Sequence, residues 1–214
     1  METQRLAEAK DRNCSLFIAD LTDIDQTIQA CNEIRARYDR IDILINNAGG
    51  GVERSPLPEA DIMLWWKTIE TNLKSTAMVT RFLHDLLPDG GKIINVSSGM
   101  GLSPGSENDA YRVAKAGVHI LTESLALQLW DRGIDVNNLV PGPVATSTFN
   151  QDDPSNRLDP ADIMTLYEDG PPPQFPSVER VKHPDEVANL ALYIATFGKG
   201  GPNGQTFSLA RRPL

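Results

Sequence analysis

Residues 92–140, KIINVSSGMGLSPGSENDAYRVAKAGVHILTESLALQLWDRGIDVNNLV, read as strand, helix, strand, and that unit decides the fold. In its middle, Val113, Ala114, Val118, Leu121, Leu125 and Leu129 recur at helical spacing, with no proline or β-branched run between them. KIINVSS before the helix and IDVNNLV after it are strands. Outward from this unit the alternation continues. CSLFIAD, residues 14–20, reads as a short strand, followed by a helix over residues 23–39 with Ile24, Ile28, Cys31, Ile34 and Tyr38 on one face. IDILINNAGG, residues 41–50, is the next strand and turn. Pro58-Glu59-Ala60-Asp61 suits a helix start, with proline near the first turn and acids at the positive dipole end. Ile62, Trp65, Ile69, Leu73, Ala77, Thr80, Leu83 and Leu87 predict one long helix, which Pro88-Asp89-Gly90-Gly91 stops. A helix over residues 184–197 and a final strand, QTFSL, close the chain. Strands alternating with helices of this length predict an α/β fold, a parallel sheet covered on both faces.

Within the central helix, Tyr111 and Lys115 stand four residues apart and share a face. A free phenol titrates near ~10 and exchanges protons poorly at neutral pH. A fixed ammonium beside it favours the phenolate and brings it toward the working range of an acid/base catalyst. An isolated Y-x-x-x-K also arises as a surface lysine beside a half-buried tyrosine. Thirteen residues before Tyr111 stands Ser98. Alternation along the strand sends Ser97 and Ser98 to opposite faces. Upstream lie Asn72 in ETNLKST and the run Asn46-Asn47-Ala48-Gly49. Downstream, Pro141-Gly142-Pro143-Val144-Ala145-Thr146 follows VNNLV. An asparagine on an otherwise apolar helix face either has a polar task or is satisfied by backbone. Asn and Gly favour turns in any case.

The 214 residues are enough for one domain with a single substantial core. A net charge of −9, without a basic cluster, argues against nucleic acid and anionic membrane surfaces as partners. No apolar stretch approaches the ~20 residues of a membrane span, and the charged start METQRLAEAKDR is no signal peptide. Cys14 and Cys31, among apolar neighbours, read as reduced thiols of a cytoplasmic protein. His84, His119 and His183 show no metal-ligand spacing and read as structural or surface residues.

NNAG, the helix Asn72, Ser98, Y-x-x-x-K and P-G-x-V-x-T, in this order and at these separations, resemble the short-chain dehydrogenase/reductase family in its single-domain form. The resemblance covers about residues 16–209. It implies a Rossmann-like, doubly wound parallel sheet and an oxidoreductase that interconverts an alcohol and a ketone with NAD or NADP. By resemblance, Tyr111 exchanges a proton with the substrate oxygen and Ser98 hydrogen-bonds that oxygen. Lys115 lowers the Tyr111 pKa and holds the nicotinamide ribose, while Asn72 holds a water that links Lys115 to solvent. Asp20 and Leu21 contact adenine, although Asp20 before Thr22-Asp23 also suits a helix cap. Asn47, Ala48 and Gly49 approach the cofactor by backbone, Val144 and Thr146 meet the nicotinamide carboxamide, and Pro141 and Gly142 count among the cofactor contacts, although Pro141-Gly142-Pro143 equally suits a mere chain reversal. A homodimer or homotetramer is implied, pairing the Asn72 and Tyr111 helices across a two-fold axis.

The resemblance departs at the start of the chain. Relatives open with a strand and T-G-x-x-x-G-x-G, whereas the first glycine here is Gly49. By family position the chain begins about one β-α-β unit late, leaving about five of the family's seven strands. The two absent strands belong between CSLFIAD and IDILI, a gap near ~10 Å at ~4.8 Å per strand. CSLFIAD then pairs directly with IDILI, or the first forty-odd residues detach, or the natural product begins farther upstream, the expectation favoured here. Residues 147–182, proline-rich and with a short helix over residues 160–168, are expected to form a substrate lid within the one domain, or else a surface loop. Met100, Leu102 and Phe149 suggest a partly apolar substrate pocket. The alternative function is a catalytically inactive, truncated relative that serves as an oligomerisation and binding module.

Overall fold

Ile43–Asn46 (β1), Lys92–Val96 (β2) and Asp135–Val140 (β3) pair side by side, and Thr206–Ser208 (β4) joins β3. All pairs are parallel and the order is β1-β2-β3-β4. The computed structural model describes residues 2–146, 158–171, 175 and 177–211. Helices cover both faces. Leu44, Ile93 and Val136 pack under Val79 of α4 (Ser75–Leu83) and Leu125 and Ala126 of α5 (Asp109–Gln128). On the other face, Ile94 and Leu139 pack under Val187, Leu190 and Ile194 of α7 (Pro184–Ala195). Ile93, Ile94, Val136, Leu139 and Val140 lose all contact with solvent. Each such side chain contributes about 1.5–3 kcal/mol of burial. The two-sided burial explains why β2 and β3 read as nearly continuous apolar runs.

The long helix expected from Ile62 to Leu87 is divided. It runs as α3 (Ile62–Ile69), a π turn (Glu70–Lys74) and α4, then a 3₁₀ turn (His84–Leu86). Hydroxyls bond back to the main chain along this stretch. Thr71 and Ser75 donate to carbonyls four residues back, at 2.8 and 2.6 Å, and Thr76 donates to Asn72 O at 2.8 Å. Such back-bonding slightly destabilises and bends a helix. Periodicity of apolar residues does not report it.

Four strands stand where about five are expected, because CSLFIAD forms no strand. A run becomes a strand only where a neighbour takes up its N–H and C=O groups, and no strand pairs with the outer edge of β1 among the described residues. Ile18 is 79% exposed. The Ser15 hydroxyl bonds the Tyr38 hydroxyl at 2.6 Å instead. CSLFIAD therefore does not pair with IDILI, and the segment does not detach either. Helix α2 (Ile24–Arg37) holds it, capped by Asp23 and tied to α4 and its end through Arg35, which donates to Asp85 and to Phe82 O. Lys67 and Lys74 reach the Asp20–Thr22 turn from α3 and the π turn. Glu2–Glu8 forms a short first helix, α1, and Pro160–Leu166 forms α6. Of the expected lid, residues 147–157, 172–174 and 176 lie outside the described residues, Phe149 among them. No described helix is long and apolar enough to cross a membrane.

Candidate active site

Parallel strands end on one edge of the sheet, where the chain turns back through a helix. Open α/β sheets bind ligands at this carboxyl edge. Asn47, Ala48 and Gly49 leave β1 there, Ser98 leaves β2, and Pro141–Thr146 leave β3. Register fixes this gathering, since Asn46, Asn95 and Asn138 are aligned across the three strands.

Helix α5 faces the end of β2 with Tyr111, Lys115 and His119, at i, i+4 and i+8. The Ser98 side chain neighbours the Tyr111 phenol. Burial pushes the phenol above its ordinary value, and Ser98 pulls it down. Lys115 lies one turn along the helix. Its ammonium stands 5.6 Å from the centre of the Tyr111 ring and donates to Val96 O at 2.8 Å. Burial brings Lys115 itself down to about 8, because a charged amine in a dry site lacks its hydration. Ser98 is extended, its hydroxyl accepting from Met100 N at 3.2 Å, which caps the 3₁₀ turn Gly99–Leu102. Ser97 is buried and donates to Lys115 O at 3.3 Å, so it too meets α5.

Asn72 is wholly buried in the π turn. Its amide donates to Gly50 O at 2.7 Å and Thr68 O at 2.8 Å, and its oxygen accepts from Gly50 N at 3.1 Å. These bonds satisfy the side-chain amide with backbone, one of the two readings the sequence left open. A Cβ added to Gly49 would lie 2.6 Å from Asn72 Oδ1 and 3.3 Å from Lys115 Nζ. The absence of a side chain there brings the NNAG turn onto both residues.

Leu21, Asn47 and Ala48 line a shallow cleft of about 90 Å³ with Ile45, Ser75, Thr76 and Val79. Asp20 stands at its margin, exposed, and accepts from Thr22 N at 2.9 Å and Thr22 Oγ1 at 2.7 Å. Those bonds hold its carboxyl below the usual carboxylate range. Across the edge, Gly142 takes φ +70° and Pro143–Ala145 form a ladder with Lys182. Pro141 opens that turn, and the Thr146 hydroxyl donates back to Val144 O at 3.4 Å.

Two functional-edge features escaped the sequence reading. Lys182 and Glu179 form a fully buried ion pair at 2.7 Å beneath Gly142, and Glu179 also accepts from Arg211 N at 3.1 Å. Their i, i+3 spacing was visible, but nothing local marks it as buried. His119 is the other, with 3% of its surface exposed. Among the described residues no cluster of three or more His, Cys, Asp or Glu could hold a metal ion.

Comparison with known proteins follows the same residues. The family model described as short chain dehydrogenase matches residues 2–157. Acetoacetyl-CoA reductase of Cupriavidus necator is 31% identical over 202 residues, spanning 90% of this chain and 75% of its own length. The 3-oxoacyl-[acyl-carrier-protein] reductase of Synechocystis is 31% identical over 198 residues, 90% of this chain and 71% of its own. A short chain dehydrogenase of Burkholderia cenocepacia, solved in complex with NADP, superposes with a TM-score of 0.78 at 23% identity, covering 98% of this chain and 80% of that one. A short chain dehydrogenase of Salmonella enterica serovar Typhi superposes with a TM-score of 0.76 at 25% identity, covering 97% and 80%.

Proposed function

The chain belongs to the short-chain dehydrogenase family, and from that premise we propose that it is an NAD(P)-dependent oxidoreductase interconverting a ketone and an alcohol, with Tyr111 as acid/base. The observation that carries the reading is the grouping of Tyr111, Ser98 and Lys115 at the carboxyl edge of the sheet, with Lys115 one turn along the helix from Tyr111 and 5.6 Å from its ring. A carbonyl oxygen seated between the two hydroxyls accepts from both. Ser98 stabilises the charge that develops on it, and Tyr111 donates its proton. A bound nicotinamide would supply the hydride chemistry at the carbon, in either direction. Lys115, poised near neutrality, returns a proton toward Tyr111 and meets the ribose hydroxyls. Asn72 holds the Gly50 backbone and so fixes the NNAG turn beside Lys115.

For the cofactor, the cleft of Leu21, Asn47 and Ala48 takes the adenine, with Asp20 at its margin. Gly49 lets the backbone approach, and Pro141, Gly142, Val144 and Thr146 meet the carboxamide end. The sequence carries no T-G-x-x-x-G-x-G, so these contacts come from the other turns of the edge. The two relatives named as reductases of acetoacetyl-CoA and 3-oxoacyl chains favour a β-keto thioester as substrate. Exposed Val113, Ile120 and Leu127 along α5 support pairing of two copies.

Titration with NADH and NADPH, followed by reduced-nicotinamide fluorescence, and turnover of acetoacetyl-CoA test the reading together. Saturable binding and turnover are expected. Tyr111→Phe should lower kcat by about 10²–10⁴-fold with cofactor affinity kept. Turnover surviving that change would remove Tyr111 from the chemistry. A chain that binds neither nucleotide supports the non-catalytic binding module instead.

A further inference from the structure

We propose that His119 is a positioning residue, holding the Ser98 peptide against Tyr111 by bridging the Ser98 carbonyl to the Thr206 hydroxyl on β4. Its Nε2 lies 3.2 Å from Ser98 O and its Nδ1 3.5 Å from Thr206 Oγ1. A carbonyl can only accept, so the neutral ring carries its proton on Nε2 and leaves Nδ1 to receive the Thr206 hydroxyl proton. The bridge thus has one direction, from Thr206 through the ring to Ser98. Its place on α5 gives it a purpose. Tyr111, Lys115 and His119 form one row, in which Lys115 bonds Val96 O, His119 bonds Ser98 O, and Tyr111 neighbours the Ser98 side chain. The Ser98 hydroxyl is fixed from one side by Met100 N. Its carbonyl is fixed by Gly101 N at 3.0 Å and by His119. Displacement of that peptide would carry the Ser98 Cα and its hydroxyl away from Tyr111, and an error of about 1 Å at a reacting group costs rate heavily. Thr206 ties the arrangement to the last strand, aligned with Asn138 in the sheet.

The catalytic consequence rests on the oxidoreductase reading, but the positioning can be tested without it. The full chain labelled with ¹⁵N-histidine has three histidines to assign. Long-range proton–nitrogen spectra should show His119 as the Nε2–H form, and an Nδ1–H form overturns the proposal. The Gly99 amide nitrogen shares a peptide plane with the Ser98 carbonyl. In chains labelled also with ¹⁵N-glycine, it should shift in His119→Leu and return in His119→Gln, which keeps a donor without a ring. A Gly99 signal that is the same in all three chains overturns the proposal. Should His119→Leu fail to fold, Thr206→Val keeps the ring and is expected to move the His119 Nδ1 resonance, and an unmoved resonance breaks the bridge. With acetoacetyl-CoA and NADPH, His119→Leu should lower kcat about tenfold at unchanged KM for NADPH, with most of the loss recovered in His119→Gln. A wild-type chain without turnover refutes the oxidoreductase reading and leaves the nitrogen resonances to decide this one.

Discussion

Lys115 shows how one residue carries both a site and a cost. The spacing Tyr111–Lys115 is local, so the sequence already places both side chains on one face of a helix. What the ammonium does there depends on its surroundings, and those come from β2. Its folded value, about 8, lies below the ordinary 10.5. Below pH ~8 the amine is charged in both states, and its burial costs stability. Between about 8 and 10.5 the unfolded chain binds more proton than the folded one, so stability rises with pH through that window. Lys115→Met should remove most of that rise. Urea unfolding of both chains near pH 7 and near pH 9.5 would measure it, and parallel slopes for the two would show that Lys115 is not the titrating group. His119 and Lys182 mark the limit of reading at this scale. Each looks ordinary in its own segment, and each gains its meaning from a partner about twenty or more residues away or from a turn of another strand.

Among the elements, the central sheet is held by a polar row as well as by its apolar faces. Asn46, Asn95 and Asn138 are lateral neighbours on β1, β2 and β3. Asn46 donates to Asn95 Oδ1 and to Thr80 Oγ1, and Asn95 donates to Thr122 Oγ1. Thr122, buried on α5, also lies 2.8 Å from Asn138 Oδ1. One hydroxyl therefore joins α5 to two strands beneath the candidate site. Thr122→Val keeps the shape and leaves the Asn95 amide without its acceptor. It should cost about 1–3 kcal/mol in urea unfolding, and Thr122→Ser should recover part of it. A loss no larger for valine than for serine would show that the row contributes little. The strands themselves were readable as apolar runs, and α5 and α7 as periodic ones. The π turn and the asparagine row were not, because helix hydrogen-bond pattern and register are relations between atoms that an apolar period does not encode.

For the molecule as a whole, the notable feature is the outer edge of β1. Ile43 and Ile45 are 41% and 45% exposed, and no strand pairs beside them among the described residues. An unpaired edge with apolar side chains invites pairing with other chains. Ile43→Lys is accordingly expected to slow aggregation on warming, read by light scattering, with the urea midpoint within about 0.5 kcal/mol of wild type. Unchanged scattering would place the sticky surface elsewhere, such as the exposed face of α5. The sequence by itself determined the fold class, the order of the elements along β1 to β4, and the family's ordered set of Asn72, Ser98, Tyr111 and Lys115, because periodicity and spacing are properties of a segment alone. Only the tertiary structure decided that CSLFIAD is no strand, that Asn72 grips the Gly50 backbone, and that His119 and Lys182 are buried beneath the carboxyl edge. Pairing, burial and the pKa of Lys115 depend on which atoms of distant segments arrive beside a residue, and that is fixed only when the whole sheet and its helices pack together.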